Sequence, residues 1–217
     1  MADLIADPFR AARLVLLLRR QGIRDDGVLS AMETIDRGVF VEPGLAELAY
    51  EDTALPIPCG QMIPKPVVVA QLLGALKATP GKEDRILLIG AGSGYMLALL
   101  AQIGRHVWAI DRYQKLVTDA RARMLELKVE NVTLKHGDGL DGWPEHKPFD
   151  RVLLTGAVSG IPEGLLGQLA KDGALVTPFN ETGKDQVIRR VTGKGEQSDF
   201  QILEPLPLLR AGKSAAL

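Results

Sequence analysis

Cysteine is almost missing from this chain of 217 residues, where Cys59 stands alone. That excludes an internal disulfide and any zinc cluster built on cysteines, and it fits a reducing compartment. The three histidines, His106, His136 and His146, show no metal-ligand spacing with acidic partners, so ordinary strand or surface roles are expected and no metal site. An excess of either charge is also lacking. With 26 basic and 27 acidic residues the formal net charge is -1, which implies neither a nucleic-acid surface nor a polybasic membrane anchor. Long hydrophobic runs are absent, since stretches such as Leu14 to Leu18 are far too short to span a bilayer. The first residues do not read as a signal peptide, because Asp3, Asp7 and Arg10 interrupt them and no small-residue cleavage site follows a long apolar core. A cytoplasmic location is expected, with any macromolecular partner recognised locally; the oligomeric state stays open. The remaining composition, 46% hydrophobic and 24% charged, suits one domain over residues 1–217 with one sizeable core.

Asp7-Pro8 offers a helix cap followed by proline at the first helical position, and the apolar and basic residues up to Arg20 continue that helix. A second helix is expected after Asp25 or Asp26, through Val28, Leu29, Met32 and Ile35. Between Val41 and Pro66 the prolines at 43, 56, 58, 64 and 66 exclude a long regular helix. An extended or looped segment results, of the kind that often carries ligand contacts. Val67 to Leu76 reads as a helix leading to a turn at Pro80-Gly81. Residues 1–80 therefore form a helical extension and loop, ahead of an α/β core over 81–180.

Strands are expected over Arg85 to Gly90, His106 to Asp111, Val132 to Asp138, Phe149 to Thr155 and Ala174 to Phe179, with helices between most of them. Such alternation predicts a mainly parallel sheet covered on both faces. Arg112 to Lys128 makes a helix with Leu116, Ala120 and Leu127 available for packing and its basic residues on a solvated face. Ile188 to Val191 and Phe200 to Leu209 suggest a terminal antiparallel pair within residues 181–210, and 211–217 reads as a frayed tail. Trp108 and Trp143 are expected to pack; Tyr95 lies at a loop–helix junction.

The most informative segment is Arg85-Ile-Leu-Leu-Ile-Gly90-Ala91-Gly92-Ser93-Gly94-Tyr95, followed by a second apolar run ending in Asp111 about 20 residues later, the layout of a nucleotide-type cofactor site. Glycines let a strand turn sharply into a helix and bring backbone close to a ligand. Asp111 then stands where a carboxylate can accept both ribose hydroxyls. Gly90, Gly92 and Gly94 read G-x-G-x-G, whereas the dinucleotide fingerprint is G-x-G-x-x-G and serves a pyrophosphate. That disfavours a nicotinamide dehydrogenase. The tighter form suits S-adenosylmethionine, whose methionine carboxylate can meet free N–H groups where the helix near Tyr95 begins. Asp138, after a predicted strand and beside Gly139, is placed for a cofactor role by the same topology.

The succession Arg37-Gly-Val-Phe-Val41, Ala49-Tyr-Glu-Asp52, Leu55-Pro-Ile57, Gly60-Gln61, Ile63, Pro66, Ile89 to Tyr95, Gly137-Asp-Gly139, Phe149-Asp150 and Gln168-Leu169 resembles the protein-L-isoaspartate O-methyltransferase family across nearly the whole chain. The resemblance implies a Rossmann-like α/β fold, the seven-strand class I methyltransferase architecture with an N-terminal helical extension. It also implies S-adenosylmethionine as donor and esterification of isoaspartyl carboxylates in damaged proteins. On the same resemblance Asp111 holds the ribose, Asp138 and Gly139 lie near the adenine, and Gln61, Ile63 and Pro64 belong to the segment over the methyl donor. Ala91 and Ser93 join the glycines in the cofactor set, and Gln61 and Asp52 are the catalytic candidates. Asp52 has a plain alternative as a turn carboxylate or helix cap.

The implied chemistry needs no Ser/His/Asp constellation. A carboxylate with a reference pKa of about 4 is already ionised at neutral pH. Orientation alone can supply roughly 7 to 11 kcal/mol. Two departures stand out. The family carries Thr-Ile-Ser after the glutamine, where this chain has Met62, Ile63 and Pro64; proline supplies neither a side-chain donor nor a backbone N–H. One lost hydrogen bond there costs about 1 to 3 kcal/mol. Lys65 could attract the substrate carboxylate instead, although an exposed lysine beside prolines is commonly solvated. The second departure is Leu88, where the family has an acidic residue. Two alternatives follow: a cofactor-binding sensor or interaction module, or a methyltransferase with another carboxylate or small-molecule acceptor.

Overall fold

The structure, a computed structural model, describes residues 9–78 and 83–212. The readings on Asp3, Asp7-Pro8, Pro80-Gly81 and residues 213–217 lie outside that range. Helix α1 (Arg10–Arg20) buries Leu14 and Leu18, and α2 (Asp26–Thr34) buries Val28, Leu29, Ala31 and Met32, the three- and four-residue spacings of one helical face. Asp25 starts α2 by accepting the Val28 N–H at 3.0 Å, which satisfies one of the free amides at a helix start.

The segment expected to be extended or looped contains short helical turns as well as extended chain. It holds two 3-10 helices, Arg37–Phe40 and Pro43–Tyr50, and a short hairpin of β1 (Leu55–Ile57) with β2 (Gln61–Ile63). Proline at the first helical position fits both Pro43–Tyr50 and α3 (Pro66–Leu76), because its missing N–H would have no partner there.

The core alternates β3 (Arg85–Ile89), α4 (Tyr95–Ile103), β4 (His106–Asp111), α5 (Gln114–Glu126), β5 (Val132–His136), β6 (Phe149–Leu154), the single-turn α6 (Glu163–Leu166), β7 (Leu169–Phe179), β8 (Val187–Thr192) and β9 (Gln197–Gln201). These strands make a seven-stranded sheet in the order β5-β4-β3-β6-β7-β8-β9. Pairings from β5 through β7 are parallel, and those of β7 with β8 and of β8 with β9 are antiparallel. The chain leaves β3 first toward β4 and β5, then returns to add β6 on its other side. That reversal opens a crevice beyond the carboxyl ends of β3 and β6, the usual ligand position in such sheets.

Alternate residues of β3 face opposite ways. Ile86 and Leu88 join the larger core with the helices α1 to α5, while Leu87 and Ile89 pack with Leu165, Trp108 and Trp143 on the other face. Burying each such side chain stabilises the fold by about 1.5–3 kcal/mol.

Helices join most of the strands as expected, while the gap between β5 and β6 holds only the 3-10 turns Gly139–Asp141 and Pro144–His146. Three expectations are corrected. Strand β7 begins at Leu169 rather than 174. The last strand ends at Gln201, not Leu209, since Pro205 and Pro207 have no N–H to give a ladder. The basic residues of α5 are not merely solvated: the Arg123 guanidinium donates to the carbonyls of Val39 (3.1 Å) and Ser93 (3.2 Å), and Arg121 donates to that of Leu134. Leu116 and Ala120 are buried on α5 as expected, with Leu127 packed against the same core. Among the described residues no helix is long and apolar enough to cross a membrane.

Candidate functional site

A cleft of about 990 Å³ opens beyond the carboxyl ends of β3, β4 and β6, at the upper end of the ordinary range for small-molecule sites. Its floor is the glycine loop. Gly90 leaves β3 with φ +88 and Gly94 caps α4 with φ +93, left-handed conformations that side chains with a Cβ rarely adopt. A Cβ at Gly90 would also lie 2.2 Å from Thr155 Oγ1. That hydroxyl donates between the carbonyls of Ile89 (3.1 Å) and Gly90 (2.9 Å), locking the loop to the end of β6.

Asp111 closes β4 and is 5% exposed. Its Oδ2 accepts the Gly92 N–H at 2.8 Å and its Oδ1 accepts the Tyr113 N–H at 2.9 Å. Burial pushes its pKa above the ordinary carboxylate value, opposed by the backbone N–H groups of Tyr113, Gly92, Ala91 and Arg112. A carboxylate offers roughly four acceptor positions, and the two close hydrogen bonds occupy one on each oxygen.

The structure brings most of the sequence-derived set to this one cleft: Gln61, Ile63, Pro64, Gly90, Ala91, Gly92, Ser93, Asp111, Asp138 and Gly139 all line it. Asp52 and Gly94 do not. Gly94 turns the chain into α4 and lets Ala120 of α5 approach, where a Cβ would sit 3.2 Å from the alanine methyl. Asp52 has the capping geometry, its Oδ1 accepting the Val67 N–H of α3 at 3.0 Å. Gln61 spans the cleft wall, donating from Nε2 to the Cys59 carbonyl (3.2 Å) and the Tyr113 hydroxyl (3.4 Å). Asp138 accepts the Leu140 N–H at 2.9 Å on Oδ1 and the Gly212 N–H on Oδ2. Leu88 is fully buried in the helix-covered core, whereas its neighbour Ile89 lines the cleft.

Three contributors escaped the sequence reading. Thr155 is one. The segment Glu204 to Arg210 is another: it runs along the cleft, held by hydrogen bonds of 2.8 Å from Ala157 N–H to the Pro207 carbonyl and from Leu209 N–H to the Ala157 carbonyl. The Lys65 ammonium meets Glu204 Oε2 at 2.7 Å, and the hydrogen bond and charge of Glu204 raise the lysine pKa. The third is Arg37, fully buried, whose guanidinium donates to the carbonyls of Ala49 (2.8 Å), Thr53 (3.0 Å) and Pro64 (3.1 Å). It fastens three points of the proline-rich segment behind the cleft. The pair of prolines at 205 and 207 is the one local signal that the chain leaves the sheet there.

The family model of protein-L-isoaspartate(D-aspartate) O-methyltransferase (PCMT) matches residues 10–205. The chain belongs to this family. A protein-L-isoaspartate O-methyltransferase of Paramagnetospirillum magneticum is 42% identical over 202 residues, covering 93% of each chain. Among solved structures, a protein-L-isoaspartate O-methyltransferase superposes with TM-score 0.78 at 23% identity, over 93% of this chain and 66% of its own. A Plasmodium falciparum structure named for the same family, in complex with S-adenosyl-L-homocysteine, gives TM-score 0.75 at 25% identity over 91% of this chain and 97% of that one. Some of the motif residues line the cleft, and others brace the segments around it. Gln168, for example, accepts the Trp143 N–H at 2.8 Å and donates to the carbonyls of Asp141 (3.0 Å) and Gly164 (3.1 Å), fixing the loop that begins at Asp138.

Proposed function

We propose that this chain methylates the free carboxylate of isoaspartyl residues in damaged proteins, with S-adenosylmethionine as donor. The observation that carries the reading is the convergence of the glycine loop, Asp111 and the Gln61–Pro64 loop on one cleft. The residues present fit the donor: a buried carboxylate stands against a glycine-rich turn whose Gly92 N–H it accepts, beside the apolar walls of Ile110, Leu116 and Leu140. When bound, S-adenosylmethionine supplies an electrophilic methyl group whose bond to sulfur breaks with its electron pair as the carboxylate oxygen bonds to carbon.

The protein's part is placement. Asp111 would accept hydrogen bonds from the ribose, and Asp138 and Gly139 would border the adenine. Gln61, held between Cys59 and Tyr113, forms the wall next to the reacting groups. Asp52 acts at one remove, fixing α3 and the loop that leads into it. No base is required, because the acceptor is already an anion at neutral pH. A second reading, a different carboxylate acceptor, draws on the exposed Met62 and on Pro64, which present no hydroxyl to the acceptor.

The test uses two peptides identical except for an isoaspartyl or an aspartyl linkage, with methyl-labelled donor. Base-labile label is expected on the isoaspartyl peptide and at least tenfold less on the aspartyl one. No transfer to either peptide, with donor binding intact, would favour the second reading.

A further inference from the structure

The loop side of the cleft has few groups left for an anionic acceptor. The Gln61 amide already donates to Cys59 and Tyr113. The Pro64 carbonyl accepts from Arg37, and proline has no N–H. Met62, 50% exposed, offers only a thioether, which is no partner for a carboxylate. The cation that this loop supplies is Lys65, which lines the cleft together with Glu204. Arg112 and Arg210 also line it, but they belong to other walls: Arg112 follows Asp111, and Arg210 lies near Gly212, the donor to Asp138.

The ion pair of Lys65 and Glu204 has an unusual position. One partner stands directly after Pro64 and the other on the segment that runs along the cleft, and their side chains are 36% and 38% exposed. Water and a competing carboxylate can therefore reach the ammonium. Glu204 and an isoaspartyl side present the same chemical group to it.

We infer that Lys65 receives the carboxylate of the acceptor, and that Glu204 is the resident occupant which the acceptor displaces; this assignment rests on the carboxyl-methylation reading above. The acceptor binds as an anion and loses its charge as the ester forms. An ion pair thus stabilises the bound ground state more than the transition state. Lys65 sets affinity for the acceptor and contributes little to the transfer step, and Glu204 weakens that affinity by holding the same ammonium.

The experiment measures binding of a fluorescein-labelled isoaspartyl peptide to protein saturated with S-adenosylhomocysteine, by anisotropy, alongside KM and kcat for methyl transfer. Lys65→Met is expected to raise Kd and KM about two- to fivefold, the size of a partly exposed charge contact, with a much smaller change in kcat. Lys65→Arg retains the charge and should restore most of the affinity. Glu204→Gln should lower Kd and KM by roughly two- to fivefold, since the competitor is gone. Opposite signs for Lys65→Met and Glu204→Gln are the signature. A pair that only staples the segment to the loop would weaken peptide binding with either substitution, and that result overturns the role given to Lys65. A wild-type protein that neither binds nor methylates the isoaspartyl peptide overturns the carboxyl-methylation reading as well, so the two failures are distinguishable.

Discussion

Replacing Asp111 with Asn is expected to lower affinity for S-adenosylmethionine about 100-fold, measured by calorimetric titration. The carboxylate already accepts two backbone N–H groups, from Gly92 and Tyr113. An amide in its place has one oxygen and one NH2, so one of those N–H groups would face another donor. The ribose would also lose a charged acceptor, and hydrogen bonds to charged groups contribute about 1.5–3 kcal/mol each. The same argument fixes a pH dependence. Burial raises the Asp111 pKa, and the ionised form is the one that accepts from the ribose. Affinity therefore falls as pH drops through that raised pKa, and the fall begins at a higher pH than an ordinary carboxylate would give. Unchanged affinity in the Asn variant would remove Asp111 from the cofactor site.

Arg37→Met should cost about 3–5 kcal/mol of stability, the range seen when one partner of a buried charged network is removed. The Ala49, Thr53 and Pro64 carbonyls all lose a donor at once, and each unsatisfied buried acceptor costs about 1–3 kcal/mol. The sum is moderated because burial of the guanidinium is itself unfavourable: desolvation pushes the Arg37 pKa below its ordinary value, against the raising influences of Tyr95 and Asp52. At about 2–4 °C per kcal/mol for a chain of this size, Tm should fall by roughly 6–20 °C in a thermal melt. Arg37→Lys should recover part of this, since an ammonium cannot match the planar fork of a guanidinium. A melt within 2 °C of the parent would show that the loop carbonyls find other partners.

Local rules explain which parts of the molecule were legible before any coordinates. Strand β4 runs from His106 to Asp111 as its apolar run implied, because a buried parallel strand writes itself as continuous hydrophobic sequence. The glycine turn was legible for a similar reason: positive φ at Gly90, Gly92 and Gly94 demands a residue type that can be read directly. Asp52 was legible only as a choice between catalysis and a turn or helix cap; the capped amide, the Val67 N–H 15 positions away, leaves no trace in local pattern. Arg37 was part of the quoted motif, yet its targets lie 12, 16 and 27 residues along the chain. The segment after Gln201 was misread because Phe200 to Leu209 is apolar enough for a strand. Its Leu206, Leu208 and Leu209 line the cleft instead of extending the sheet, with Leu209 packed where a Cβ on Gly156 would come within 2.8 Å of it.

The central claim, that this cleft holds an adenosyl methyl donor, is tested most directly by calorimetric titration of the unmodified protein with S-adenosylmethionine. A single saturable site of one molecule per chain in the micromolar range is the predicted result. No detectable heat, with the fold intact by circular dichroism, would contradict the account: the family's fold would be present without a working cofactor site, and the altered loop at Met62 and Pro64, which lines the cleft, would be the first place to look.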